Sequence, residues 1–190
     1  MKQAGTKLSH LNERGEARMV DVGGKRIVSR EAIAEGRVRM SRSTLGLLVS
    51  GRLPKGDVLA VARVAGIMAA KRCGDLIPLC HPLALDAVEI DFDIPSVSES
   101  KGGVVHLGIR ATCRITAQTG VEMEALSAVT LSALTIYDMC KAVDKAMVIE
   151  GVRVVSKSKG SGPRPDADFS SAPAPAGRGV KPAPRRRTRP

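Results

Sequence analysis

The chain has 190 residues, with 30 Lys+Arg against 19 Asp+Glu, a formal net charge of +11 and 43% hydrophobic residues. That length and composition suit one well-filled core, alone or with an appendage. Phe92, Tyr137 and Phe169 are the only aromatics and there is no Trp, which argues for an aliphatic core and against base-stacking surfaces.

Residues 1 to 15 are polar and read as irregular. Ala17 to Val22 and Lys25 to Met40 carry short alternating runs that predict strands, with a turn at Gly23-Gly24. A short helix is expected over Ser43 to Ser50, stopped by Gly51. Asp57 to Cys73 (DVLAVARVAGIMAAKRC) predicts a long helix with Asp57 as N-cap and Gly74 as the residue past its end. Asp86 to Ile94 alternates, with Val88, Ile90, Phe92 and Ile94 facing inward. Val105 to Ile115 does the same, with His106, Arg110, Thr112 and Arg114 outward. A polar hairpin loop, Pro95 to Gly103, links them. A second helix is expected over Val121 to Lys145, opened by a capping box from Thr119 and Glu122. Met147 to Ser156 closes the domain as a strand. The order is βαββαβ, an α+β, ferredoxin-like arrangement with an antiparallel sheet and helices packed on one face.

Both helices are apolar around most of their circumference, which predicts burial against another subunit. From Pro163 to Pro190 the composition changes. This stretch holds seven of the 11 prolines and five of the net positive charges, and it reads as a disordered tail. The expected division is therefore a folded domain over 1–162 and a tail over 163–190. Cys73, Cys80, Cys113 and Cys140 form no CxxC pattern. The N-terminus lacks an apolar signal region, and no apolar run reaches the roughly 20 residues of a membrane span. These features predict free thiols in the cytoplasm, no membrane association and no structural metal.

Three clusters carry possible chemistry. Lys55, in Pro54-Lys55-Gly56-Asp57, stands before a helix N-terminus, where an anion is favoured; a solvated lysine is the plainer alternative. Leu79-Cys80-His81-Pro82 fixes a histidine between prolines, suited to proton transfer or to burial against backbone groups. Glu122-Met123-Glu124 opens the second helix, and Asp138 and Lys141 share a face near its end. That last pair is either a surface ion pair or an acid and base in a partly dry pocket. Lys55, Lys141, Lys145, Lys157 and Lys159 together offer a cationic set suited to a polyphosphate.

The runs GEARMVDV, KGDVLAVARVAGIMAAKRCGDLIPLCHPL, GVEMEALSAVTLSALTIYDMCKAVDKAMVIEGVRV and SKSKGSG resemble the MoaC family of cyclic pyranopterin monophosphate synthases, from about Leu8 to Gly162. The resemblance implies a ferredoxin-like fold assembled as a homohexamer, a trimer of dimers with sites at dimer interfaces. It implies a lyase of molybdenum cofactor biosynthesis. The substrate would be (8S)-3′,8-cyclo-7,8-dihydroguanosine 5′-triphosphate, supplied by a radical-SAM enzyme, and the products cyclic pyranopterin monophosphate and diphosphate. Asp138, Lys141 and Lys55 are implied as catalytic. Leu79, Cys80, His81, Glu122, Met123, Glu124 and Lys157 are implied as substrate-binding. No redox cofactor is implied; whether Mg²⁺ accompanies the triphosphate stays open. The family's KSGGKSG-like ending is replaced by Lys157-Ser158-Lys159-Gly160-Ser161-Gly162, so the second lysine is displaced.

The same element order also describes an RNA-recognition module, but VVHLGIRATCRI has no aromatic to stack a base. A catalytically silent scaffold is the other alternative, and the intact LCHP, VEME and YDMCK runs argue against it.

Overall fold

The computed structural model describes residues 14–96 and 103–160. The Pro/Arg-rich tail, most of the N-terminal stretch, most of the 95–103 loop and the expected domain boundary lie outside the described residues.

Strand β1 (Val28–Ser41) follows the Gly23-Gly24 turn, where Lys25 N–H donates to Val22 O at 2.9 Å. Helix α1 (Arg42–Val49) starts at once because the Ser41 hydroxyl accepts Thr44 N–H at 3.1 Å. It stops before Gly51, whose φ of +67° favours glycine. Asp57 caps α2 (Val58–Lys71), accepting Ala60 N–H at 3.0 Å. A single-turn helix α3 (Cys73–Leu76) leads through the LCHP segment to β2 (Ala87–Asp93). Then come β3 (Val104–Ala117), α4 (Glu122–Cys140) and β4 (Val148–Lys159).

The sheet order is β2-β3-β1-β4, with every neighbouring pair antiparallel. With β1 and β3 central, each helix crosses one intervening strand, which is the expected ferredoxin-like pattern. Helices α2 and α4 pack on each other, with α2 over β2 and α4 over β1, β3 and β4. The core is aliphatic: Val38, Leu107, Ala111, Ala128, Val129 and Ile136 are all 0% exposed. Small residues let the layers close. A Cβ at Gly36 would stand 2.8 Å from Val129 Cγ1, and the Ser132 hydroxyl of α4 donates to Ala62 O of α2 at 3.0 Å.

The other face of the sheet is a cross-strand lattice of charge. Arg114 joins Glu31 at 2.7 Å and Glu89 at 2.6 Å, Arg37 joins Glu150 at 2.9 Å, and Arg110 joins Glu35. Phe92 instead lies on the helix side, with the Arg63 guanidinium of α2 5.3 Å from its ring centre. No aromatic platform for nucleic acid therefore exists on the sheet among the described residues. Among the described residues the two outer strands differ in net charge: β2 carries Glu89, Asp91 and Asp93, whereas β4 carries Arg153, Lys157 and Lys159 against Glu150.

Several boundaries differ from expectation. Residues 17–22 form no strand beyond one isolated bridge at Ala17; half-buried Val20 and Val22 alternate because they face a cavity rather than a sheet. Gly74 is not a terminator but part of α3, where a Cβ would meet Pro82 Cα at 3.0 Å and His81 O at 3.1 Å. The Thr119–Glu122 capping box does not form, because the N-cap of α4 is Val121, pinned by burial at 1% exposure, and no side chain caps it. That helix also ends at Cys140 rather than Lys145. The chain turns there because the Asp144 carboxylate accepts Ser41 N–H at 2.8 Å and Ala146 N–H at 3.0 Å. Thr112 keeps the expected outward register beside Arg110 and Arg114 but is buried there, and Ile94 is 41% exposed because β2 ends before it.

The helix layer leaves an apolar outer surface. Val61, Val64 and Met68 of α2 and Leu134 of α4 are 46–57% exposed. Such a stripe is unusual for a helix facing only water. Among the described residues, no helix is long and apolar enough to cross a membrane. All four cysteines are free thiols.

Candidate active site

The residues singled out from the sequence gather into two groups at opposite ends of α4. At the C-terminal end, Asp138 projects from the last turn. Lys141 Nζ meets Asp138 Oδ1 at 2.7 Å, as the i, i+3 spacing allows. Lys55 reaches in from the turn before α2, which Gly56 closes with a φ of +84°. Its ammonium donates to Asp138 Oδ2 at 2.8 Å and to the Asp138 carbonyl at 3.0 Å. Lys141, then Lys55, hold the Asp138 carboxyl down at about 2. In return, Asp138 raises the Lys141 ammonium above its ordinary value. All three side chains are about half exposed. This end is therefore a solvent-open, doubly cationic cradle around one fixed carboxylate, able to take an anion or to exchange protons.

At the N-terminal end lies a cavity of about 410 Å³, lined by Leu79, Cys80, His81, Glu122, Met123 and Glu124 and roofed by Val20, Val22 and Lys25. His81 Nε2 donates to the Val20 carbonyl at 2.9 Å, so Nδ1 is the ring nitrogen left for a ligand. Glu124 is 3% exposed, and burial pushes its carboxyl above the ordinary range. Lys157 comes from β4 to the rim, its ammonium 3.4 Å from Glu122 Oε1. Burial likewise raises the Cys80 thiol, so it stays neutral near pH 7. The cavity thus pairs an imidazole with one buried and one rim carboxylate, a set suited to orienting a polar ring.

Ten of the ten expected site residues fall in one group or the other, yet they do not form one site in one chain. Glu122 and Asp138 are separated by about 24 Å along the helix axis. The lysine set divides likewise: Lys55, Lys141 and Lys145 belong to one end, Lys157 and Lys159 to the other. Val20, Val22 and Lys25 were not expected at the site, although GEARMVDV, one of the runs that carries the resemblance, contains the first two. A larger hollow of about 580 Å³ involves Arg37, Arg110, Asp91 and Asp93 on the charged side of the sheet. It contains none of the expected site residues, seven of which belong instead with the smaller one. No group of three or more His, Cys, Asp or Glu side chains among the described residues is arranged to hold a metal ion.

The MoaC family model matches residues 19–160, a span that takes in both ends of α4 and every lining residue of the cavity. The chain belongs to the MoaC family. A Chloroflexus aggregans protein is 60% identical over 153 residues, covering 80% of this chain and 89% of its own length. A Pelotomaculum thermopropionicum protein is 58% identical over 153 residues, covering 80% and 86%. One from Novosphingobium aromaticivorans is 57% identical over 155 residues, covering 80% and 92%. All three relatives are named cyclic pyranopterin monophosphate synthase.

Proposed function

We propose that this MoaC-family chain is a cyclic pyranopterin monophosphate synthase, a lyase of molybdenum cofactor biosynthesis. It takes (8S)-3′,8-cyclo-7,8-dihydroguanosine 5′-triphosphate, made by a radical-SAM enzyme, to cyclic pyranopterin monophosphate and diphosphate. The observation that carries this reading is the 56–60% identity to synthases over at least four fifths of the chain. The two helix ends support it chemically. Lys55 and Lys141 would neutralise the triphosphate and the charge that develops as diphosphate leaves. Asp138 and Lys141 would exchange protons during ring opening and re-closure. Leu79, Cys80, His81, Glu122, Met123 and Glu124 would seat the purine-derived ring and ribose, with Lys157 at the phosphate side.

Side chains so far apart cannot act on one reacting centre. The proposal therefore includes a site shared between copies, the Asp138 end of one joined to the His81 end of another, in a homohexamer built as a trimer of dimers. The exposed apolar stripe of α2 and α4 supports such an assembly. The reaction needs no redox cofactor, and Mg²⁺ would enter with the triphosphate. We place the enzyme in the cytoplasm, with no membrane or nucleic-acid partner, and assign no step to residues 163–190.

A single-turnover assay with the purified chain, the cyclised triphosphate and fluorescent detection of the oxidised pterin tests the reading. Pterin and diphosphate should appear in equal amounts. Binding of the triphosphate without pterin formation would leave only a scaffold. Deleting 163–190 should leave turnover unchanged.

A further inference from the structure

We propose that Gln118 is a positioning residue for substrate binding: its side-chain amide clasps the carbonyls of Gly23 and Lys25 and so holds the chain over 20–25 as the roof of the cavity that His81 lines. The kinetic consequence rests on the functional reading above; the clasp itself does not.

The roof has little of its own to hold it. No strand ladder runs from 18 to 27, and Val20 and Val22 are the only residues of 20–25 that are even half-buried. Its order comes from polar contacts. Gly23 and Gly24 form a turn, closed by Lys25 N–H donating to Val22 O at 2.9 Å, and Gly23 N–H donates to Asp21 Oδ1 at 2.8 Å. These bonds stay within the segment. Side chains from elsewhere tie it to the fold. Ahead of the turn, His81 Nε2 donates to Val20 O at 2.9 Å. On the turn itself, Gln118 Nε2 donates to Gly23 O at 3.1 Å and to Lys25 O at 3.2 Å. Both amide hydrogens are thereby used, and two carbonyl acceptors can be met by the nitrogen end of that amide but not by its oxygen.

Gln118 is itself held. It stands just past the end of β3, where the Arg30 guanidinium of β1 donates to Ala117 O at 3.1 Å and to Gln118 O at 2.8 Å. The backbone from which the amide reaches is thus fixed to a central strand. Thr119 and Gly120, which follow it, line the cavity, as does Lys25 of the clasped turn. One segment therefore forms part of the wall and, through Gln118, secures the roof. Loss of the clasp frees the turn and with it Lys25, and it loosens the Val20 carbonyl that selects the His81 tautomer. A substrate would then have to order the roof as it binds, which lowers its affinity and leaves the bound complex unchanged.

The test compares the full wild-type chain with Gln118→Met, which removes both donors at similar length, and Gln118→Lys, which restores a donor. Hydrogen–deuterium exchange read by mass spectrometry follows the peptides that cover 20–25. Exchange there should be about tenfold faster in Gln118→Met and return toward wild type in Gln118→Lys, with the peptides of α4 unchanged. The KM for the cyclised triphosphate should rise about tenfold in Gln118→Met, with kcat within about twofold, and fall back in Gln118→Lys. Gln118→Glu sets acceptors against acceptors in the same shape. It should also speed exchange, which keeps the clasp testable if the methionine variant does not fold. Exchange at 20–25 that is unchanged in Gln118→Met or in Gln118→Glu overturns the clasp, and a loss confined to kcat overturns its role in binding. A wild-type chain that makes no pterin would sink the functional reading, while the exchange measurement would still decide the clasp.

Discussion

Glu124 and Asp138 ride on the same helix, yet about 21 Å of helix axis separates them. One is buried and pushed toward its neutral form; the other is open to water and held ionised by two lysines. Two carboxylates on one rod are thereby prepared for different work at different places.

Complementation between inactive variants follows from that separation. Asp138→Asn and His81→Ala should each remove most turnover alone. Co-expressed and co-purified, they should recover part of it, because a mixed pair of copies holds one site free of both changes. No recovery in a verified mixed oligomer would count against a site shared between copies.

Asp138→Asn should lower kcat by about 10²- to 10⁴-fold without moving the melting temperature at pH 7, since its ion pairs are exposed. The lysine should respond as well. Asp138 holds Lys141 above its ordinary value, so the alkaline limb of the pH–rate profile, where Lys141 loses its proton, should move to lower pH in a residually active variant. A limb that stays in place would detach Lys141 from that titration.

Asp144 ties the turn after α4 to the start of α1. Its carboxylate accepts Ser41 N–H at 2.8 Å, the Thr44 hydroxyl at 3.1 Å and Ala146 N–H at 3.0 Å. Burial pushes its carboxyl up, but these donors win and leave it below the ordinary range. Such a depressed group gives stability above its unfolded value, near 3.9, which is lost as pH falls through the folded value. Asp144→Ala should cost about 2 kcal/mol at pH 7, and the difference from wild type should shrink below pH 4. Urea unfolding at pH 7 and pH 3 checks both parts.

Gly66 of α2 packs tightly against α4. A Cβ there would lie 2.8 Å from Ala128 O and would also run into Ser132 Oγ and Ile90 Cδ1. Gly66→Ala should therefore destabilise by about 2–3 kcal/mol despite the better helix propensity of alanine. Chemical denaturation with an unchanged midpoint would show that the crossing can relax.

Much of this arrangement was legible in the sequence because local patterns and tertiary demands agree. Asp57 caps α2 and Gly51 ends α1 where turn chemistry places them. The alternation of Val105 to Ile115 matches a central strand. The failures come where a distant partner decides. Val20 and Val22 alternate like a strand but cover a cavity, and periodicity cannot tell those cases apart. Thr119 and Glu122 have capping-box spacing, but the burial of Val121 moves the N-cap by two residues. Asp144 ends α4 through an acceptor role toward Ser41, 103 residues away. The candidate site residues were visible individually; their division between two helix ends was not, since spacing along a chain does not say which of them the fold brings together.

The opposite signs on the two sheet edges also have a social meaning for the molecule. An acidic β2 meeting another β2, or a basic β4 meeting another β4, sets like charges side by side. Random collisions between copies are thus steered away from symmetric sheet-to-sheet zippering, the usual first step toward tangled aggregates. With β2 and β4 as the outer strands among the described residues, each edge is a poor match for its own kind.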